Sequence, residues 1–291
     1  MTPFELLEPR SLSEAAGLLN DGDPSARPVA GGTAVMLMMK MGVLRPARLV
    51  SLRSVEKRYS EIGGGPDGGL RIGAMATLSA LERSSLVRSQ APVIVRTLRT
   101  LANVRVRNVA TVGGHLAHAD PHTDLPPVLI ALGASVITVS ARGGGRTLPL
   151  EKLYTGYLET ALERGELVAE VTVPKQDGRR AAYVKCTTRS ADDWPALGVA
   201  VALDVGSENE GTTVRDSRIV ISAATNTPMR LAAAEDALRG AKADDIVLRR
   251  VGEAAASAAN VIADEHGSAA YKRELVRVYV GRAVRAALAN E

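Results

Sequence analysis

Two glycine pairs and one histidine-rich stretch are the segments whose residue types and spacing could do chemistry. The first pair, Gly31-Gly32, lies in Pro28-Val29-Ala30-Gly31-Gly32-Thr33-Ala34, and the second, Gly113-Gly114, in Thr111-Val112-Gly113-Gly114-His115. Paired glycines let the backbone turn sharply with several N–H groups pointing into one concavity, and they let a phosphate approach without meeting a Cβ. A helix following such a loop favours the same anion. Two loops of this kind could grip the two phosphates of a dinucleotide from opposite sides. A single glycine pair also reads as a plain turn, and neither segment is a Walker A or a G-x-G-x-x-G fingerprint.

The second pair runs into Leu116-Ala117-His118-Ala119-Asp120-Pro121-His122-Thr123-Asp124-Leu125-Pro126-Pro127. His115, His118 and His122 are three of the four histidines in the chain. Histidine beside carboxylate is a zinc or iron ligand set, so a metal hydrolase is one reading. The spacing is not the metalloprotease H-E-x-x-H, and Pro121, Pro126 and Pro127 oppose a continuous helical face. The other reading is a tight loop whose polar side chains satisfy buried backbone groups.

Composition narrows the chemistry further. The only cysteine is Cys186, which excludes an internal disulfide, a Cys-rich zinc site and a cysteine-ligated iron–sulfur cluster within this chain. Electrons, if handled here, need a carrier other than protein sulfur. One Phe, one Trp and six Tyr leave an aliphatic core and few platforms for base stacking. A net charge of +4 is too small and too dispersed to imply nucleic acid. Neither a signal peptide nor a membrane-length apolar run is evident, and the cysteine usage suits a reducing, cytoplasmic setting.

The elements that must position these residues follow from local signals. Ser11 and Glu14 form a capping box ahead of a helix that ends near Asn20. A strand over 27–30, the first glycine loop, a helix over 33–41 and a strand over 47–52 make a compact start. Residues 63–69 are a turn-rich break. A strand over 70–74 follows, then helices near 77–83 and 91–102, the unusual stretch 103–127, a helix over 125–132, and strands over 135–141 and 167–173. The polar run 175–180 reads as a boundary. Beyond it come strands over 181–188, 196–205 and 214–224, then Ala-rich helices over 230–239, 243–262 and 269–289, an α+β arrangement with helices on one sheet face. Arg96, Arg99, Arg105 and Arg107 read as a solvated face, with Arg107 the best candidate for a local ion pair. Lys272, Arg273, Arg277, Arg282 and Arg285 read as a solvated face of the last helix.

Read together, these segments resemble the FAD-binding medium subunit of the molybdenum hydroxylases, the carbon monoxide dehydrogenase and xanthine dehydrogenase family. Ala30-Gly31-Gly32-Thr33 resembles the family's AGGT/AGGH loop. Val106-Arg107-Asn108 followed by Thr111-Val112-Gly113-Gly114 resembles its VRN-x-x-T-(I/V)-G-G segment. Pro9-Arg10-Ser11-Leu12, Ile72-Gly73-Ala74, Asp120-Pro121, Asp124-Leu125-Pro126, Leu132-Gly133-Ala134 and Tyr183-Val184-Lys185 continue the match in order over essentially the whole chain.

The resemblance implies an α+β chain: a two-subdomain FAD-binding α/β unit of the PCMH/vanillyl-alcohol-oxidase-like type, then a C-terminal antiparallel sheet with three helices. Its domains would be 1–175, with subdomains of about 1–55 and 56–175, and 176–291. By position, Val29, Ala30, Gly31, Gly32, Thr33, Ala34 and Val35, with Thr111, Val112, Gly113, Gly114 and His115, would wrap the pyrophosphate and adjoining ribityl chain. Asp124 would bond a sugar-type hydroxyl, Leu101 and Val168 would give apolar contacts, and Lys185 would lie near the flavin ring. No residue of the chain is required as a catalytic acid, base or nucleophile. The molybdenum cofactor would sit on a large partner subunit and [2Fe-2S] clusters on a small one, in a dimer of heterotrimers. The alternative to this redox role is a nucleotide-binding interaction module. Two positions depart from the family: His115 stands where Asn is usual, and Ala34 where Asp or Ser is frequent.

Overall fold

The computed structural model describes residues 2–20, 22–141, 144–208 and 211–290. Glu5–Leu7, Arg27–Val29 and Arg48–Ser51 form a small parallel sheet with the third of these strands in the centre. The helix Leu12–Asn20 packs its Leu12, Ala15, Ala16 and Leu19 against this unit. Its capping box is realised: Ser11 Oγ accepts from the Glu14 N–H, and Glu14 reaches back to the Arg10 N–H. The helix after the first glycine loop is Val35–Lys40.

An antiparallel sheet comes next, in the order Ile62–Gly64, Leu70–Gly73, Glu166–Val173, Ser135–Ser140, Thr147–Pro149. Helices Leu78–Arg83, Ser85–Gln90, Pro92–Arg99 and Leu125–Ala131 supply the aliphatic core beside it. The stretch between the helices expected at 91–102 and 125–132 is itself partly helical. Asn103 caps Val104–Val109 and Thr111 caps Val112–Ala117, each by accepting an N–H three residues on. Both residue types are strong N-caps, so the signal lay in single residues rather than in periodicity.

The last sheet pairs Arg180–Cys186, Leu197–Glu208, Gly211–Ser222 and Met229–Arg230 antiparallel, with Ala241–Lys242 also on the third of these. Period-two alternation explains its burial on both faces. Leu197, Val199, Val201 and Leu203 join the core made with helices Ala232–Leu238, Asp245–Ala258 and Ala269–Ala289. Ala200 and Ala202, pointing the other way, join the core beside the preceding sheet. The three helices thus lie on one sheet face, as expected, and the other face packs on the core of the middle sheet. The middle helix stops at Ala258, short of 262, because the chain turns extended and the Ile262 N–H bonds the Ala224 carbonyl.

Lys272 departs from the solvated face expected of the last helix. It is fully buried, in step with Val276, Val280, Ala283 and Ala287 on the packed stripe. Arg273, Arg282 and Arg285 are exposed. Arg107 forms an ion pair with Glu82 at 3.0 Å and donates to the carbonyls of Leu101 and Ala102. Arg96 donates to the Ala181 carbonyl on the first strand of the last sheet. No described helix is long and apolar enough to cross a membrane.

Candidate functional site: a glycine-lined cleft and the polar seam beside it

The two glycine pairs meet across a cleft of about 410 Å³. Ala30, Gly31, Gly32, Thr33, Ala34 and Val35 line one side, and Thr111, Gly113, Gly114 and His115 the other. Met38, Leu44, Leu52, Leu167 and Val168 give it apolar walls. A β-bulge lies between Val168 and Glu170, and the Ala169 carbonyl there accepts from the Ala74 N–H. The irregular strand presents Glu166, Leu167 and Val168 in succession to the cleft, which strict alternation would not allow.

Each glycine has a separate reason. A Cβ on Gly31 would stand 2.1 Å from the Val109 carbonyl oxygen, and one on Gly113 would stand 2.6 Å from the Ala74 Cβ. These two permit close backbone packing. Gly32 has φ +72, which residues with a Cβ rarely adopt. Gly114 is exposed to the cleft, with Thr111 Oγ1 3.0 Å from where its Cβ would be.

The second pair does not offer free N–H groups as its residue types suggested. The Val112 and Gly113 N–H groups donate to the carbonyls of Ala76 and Ala74. Gly114 donates to Thr111 Oγ1, and His115 to the Thr111 carbonyl. This segment shapes the cleft; across it, no side chain caps the helix Val35–Lys40. His115 Nε2 is buried without a hydrogen-bond partner. Burial, with His118 nearby, pulls the His115 pKa down to about 4, so the ring is neutral near pH 7.

Glu166 is the carboxylate in the lining. Arg146 holds it through two hydrogen bonds of 2.8 Å, and Thr138 Oγ1 and the Glu163 N–H also donate to it. These contacts, the Arg146 bonds foremost, lower its pKa to about 2. A depressed carboxylate stabilises the fold above its unfolded value near 4.5, and that contribution is lost as pH falls toward 2. Glu166→Gln is expected to lower the unfolding free energy at pH 7 by about 1.5–3 kcal/mol and to flatten the acid limb of stability, read by denaturant titration at several pH values.

The remaining expected residues lie outside the cleft. Val29 belongs to the parallel sheet, and Val112 is fully buried. Leu101 is a core residue next to Thr100, whose carbonyl accepts from Lys185 Nζ. Asp124 and Lys185 pair at 3.0 Å, and Asp124 also accepts from the Tyr183 hydroxyl at 2.6 Å. Tyr183 and Lys185 reach one carboxylate because they sit two apart on a strand and share a face. Burial raises the Asp124 pKa above its usual range, with Lys185 and Tyr183 acting against it.

A second polar group borders this pair. His122 Nδ1 lies 3.1 Å from Asp120, and Nε2 lies 2.9 Å from Asp264. Asp264 in turn accepts from the buried Lys272. Sequence reasoning missed Asp264, Lys272 and Tyr183. For Lys272 the signal was its register with the apolar stripe. The three histidines are not gathered on one centre, and among the described residues no three His, Cys, Asp or Glu side chains are placed to hold a metal ion.

A glycine-lined, apolar-walled cleft with a few polar groups, among them a neutral histidine, has the make-up of a small-molecule or cofactor site. Comparison with known proteins makes this specific. Residues 2–176 match the FAD binding domain in molybdopterin dehydrogenase, and residues 182–287 match the CO dehydrogenase flavoprotein C-terminal domain. The glyceraldehyde dehydrogenase medium chain of Sulfolobus acidocaldarius is 31% identical over 96% of each chain. The carbon monoxide dehydrogenase medium chain of Hydrogenophaga pseudoflava is 30% identical over 99% of this chain and 98% of that one. A solved structure of that organism's carbon monoxide dehydrogenase, lacking the Mo-pyranopterin moiety of its molybdenum cofactor, superposes with a TM-score of 0.93 at 31% identity, covering 100% of this chain and 99% of that one. Quinoline 2-oxidoreductase of Pseudomonas putida gives 0.91 at 27% identity, covering 99% and 98%. The chain belongs to the family of FAD-binding medium subunits of the molybdenum hydroxylases. It is a flavoprotein oxidoreductase subunit, and its cofactor is FAD.

Proposed function

We propose that this chain carries electrons from iron–sulfur clusters on a small partner subunit, through FAD, to an external acceptor, while substrate is oxidised at a molybdenum centre on a large partner subunit. The complex is a cytoplasmic dimer of heterotrimers, and the chain divides near residue 175. The observation that carries the cofactor assignment is the cleft itself: two glycine pairs facing each other beside a buried, unpartnered His115 Nε2.

FAD, when bound, supplies a carrier that takes up electrons singly and gives them up in pairs. The chain's own residues bind and orient it. Segment 30–35 receives the pyrophosphate, and Gly114 leaves room for its approach. His115 gives one hydrogen bond to a cofactor oxygen, in the place where the family usually has Asn. Val168 and the aliphatic walls exclude water. The cofactor would extend beyond the cleft toward the buried pair of Asp124 and Lys185, with Leu101 beside it, which the family resemblance assigns to its sugar-type hydroxyls and flavin edge.

The test is to purify the chain with its partners and release its cofactors by denaturation. FAD stoichiometric with this chain is expected, together with loss of flavin absorbance on adding substrate. FAD that never bleaches would instead mark a nucleotide-binding module without redox activity.

A further inference from the structure

Loop 120–124 belongs to the FAD-binding domain, yet its side chains and backbone reach the C-terminal domain at three successive points. The Pro121 carbonyl accepts from the Ala223 N–H at 2.8 Å, His122 meets Asp264, and Asp124 meets Tyr183 and Lys185. The loop is internally rigid: Asp120 accepts from the His122 N–H, and the Asp120 carbonyl accepts from both the N–H and the hydroxyl of Thr123. Movement at one point therefore moves the others.

We propose that His122 is a positioning residue for the cofactor: its charged imidazolium locks loop 120–124 onto the C-terminal domain and thereby holds Asp124 and Lys185 in place. This rests on the flavin reading above. Both ring nitrogens face carboxylates, and carboxylates only accept, so the ring satisfies both only when both nitrogens carry protons. The cluster is then balanced, with Asp120 and Asp264 against His122 and Lys272. Lys272 is spent on Asp264 and on the Ala223 carbonyl.

The other groups around the ring are known. His118 lies 3.9 Å from Asp120, the Trp194 ring stacks on His122 at 5.5 Å, and the His266 ring lies at 5.1 Å. The Tyr157 hydroxyl is influenced by Asp120, Glu265 and Asp264. Burial disfavours the charge on His122, but the bonds to Asp120 and Asp264 prevail and raise its pKa. Ala119 and Ala223 take φ +55 and +64, left-handed conformations that persist when surrounding contacts enforce them. Releasing His122 removes one of those contacts.

The experiment is titration of the full chain with FAD from pH 6 to 9, following flavin fluorescence, for wild type, His122→Gln and Asp264→Asn. Burial holds the pKa values of His115 and His118 below the ordinary histidine value, so a step above that value does not come from either ring. Wild-type affinity is expected to fall about fivefold or more as pH rises. His122→Gln starts weaker and is independent of pH. Asp264→Asn keeps a polar partner but removes a charge, so its step moves to lower pH, which a purely structural role would not produce. FAD bound equally by wild type and His122→Gln at every pH overturns the positioning role alone. A folded wild type that binds no FAD at any pH overturns the flavin reading and this role with it.

Discussion

Lys185→Met is expected to lower the unfolding free energy by about 3–5 kcal/mol at pH 7, because it leaves the Asp124 carboxylate buried without its cation. Both side chains of the pair are more than nine-tenths buried, at 8% and 6% exposure, so water cannot replace the lost partner. The Tyr183 hydroxyl still donates to the other carboxylate oxygen, but a neutral hydrogen bond does not neutralise the charge. The loss also depends on pH, with a defined sign. A carboxyl whose folded pKa is raised gives its full stability below the unfolded value and loses it as pH rises through the folded one. Burial already raises Asp124, and removing Lys185 raises it further. The variant is therefore nearest to wild type around pH 5 and weakest at pH 8. Denaturant titrations at the two pH values read this directly. Asp124→Asn in the same chain should recover part of the loss. A deficit that stays constant with pH would show that the pair contributes packing alone.

Gly114→Val is expected to weaken FAD binding by about 10- to 100-fold while the chain stays folded. An added side chain in a fitted site costs about 1–3 kcal/mol, and 1.4 kcal/mol is tenfold in affinity. A Cβ here would meet the Thr111 hydroxyl at 3.0 Å, which must give by a few tenths of an ångström, and then Ala30 at 3.8 Å, with no backbone atom in its way. It lies in the short helix Val112–Ala117, where glycine is not required by backbone angle. Gly31→Ala is the contrast. Its Cβ meets the Val109 carbonyl oxygen at 2.1 Å, so folding itself is expected to suffer. Comparing FAD content with thermal midpoint in the two variants separates a binding glycine from a packing glycine. Full FAD content in folded Gly114→Val would remove that residue from the cofactor site.

The sequence and the fold agree where a local signal was sufficient. The capping box at Ser11 and Glu14, the strand that stops before Pro174 and the Ala-rich helices each rest on neighbours within a few residues. The glycine pairs were recognisable as cleft-forming, but their hydrogen bonding was not. Whether Gly113 N–H meets a ligand or the Ala74 carbonyl depends on how close a strand some forty residues upstream comes. Asp124 and Lys185 were picked out by resemblance, whereas their mutual pairing required the Tyr183–Lys185 face to be folded against the loop. Asp264 could not be foreseen, because nothing local marks a carboxylate that will meet His122 across 142 residues.

That separation also fixes an order of events during synthesis. The ribosome completes the glycine-lined cleft and loop 120–124 long before Tyr183, Lys185, Ala223, Asp264 and Lys272 exist. Each of those residues supplies a bond or an ion pair at the seam with this loop. Until they emerge, a loop flanked by a left-handed alanine holds Asp124 without its cation, while Asp120 already meets the His122 N–H. The amino-terminal half can collapse around its aliphatic core as it is made. The seam with the carboxy-terminal half, by contrast, closes only once those residues exist, so loop 120–124 reaches its final contacts late in translation.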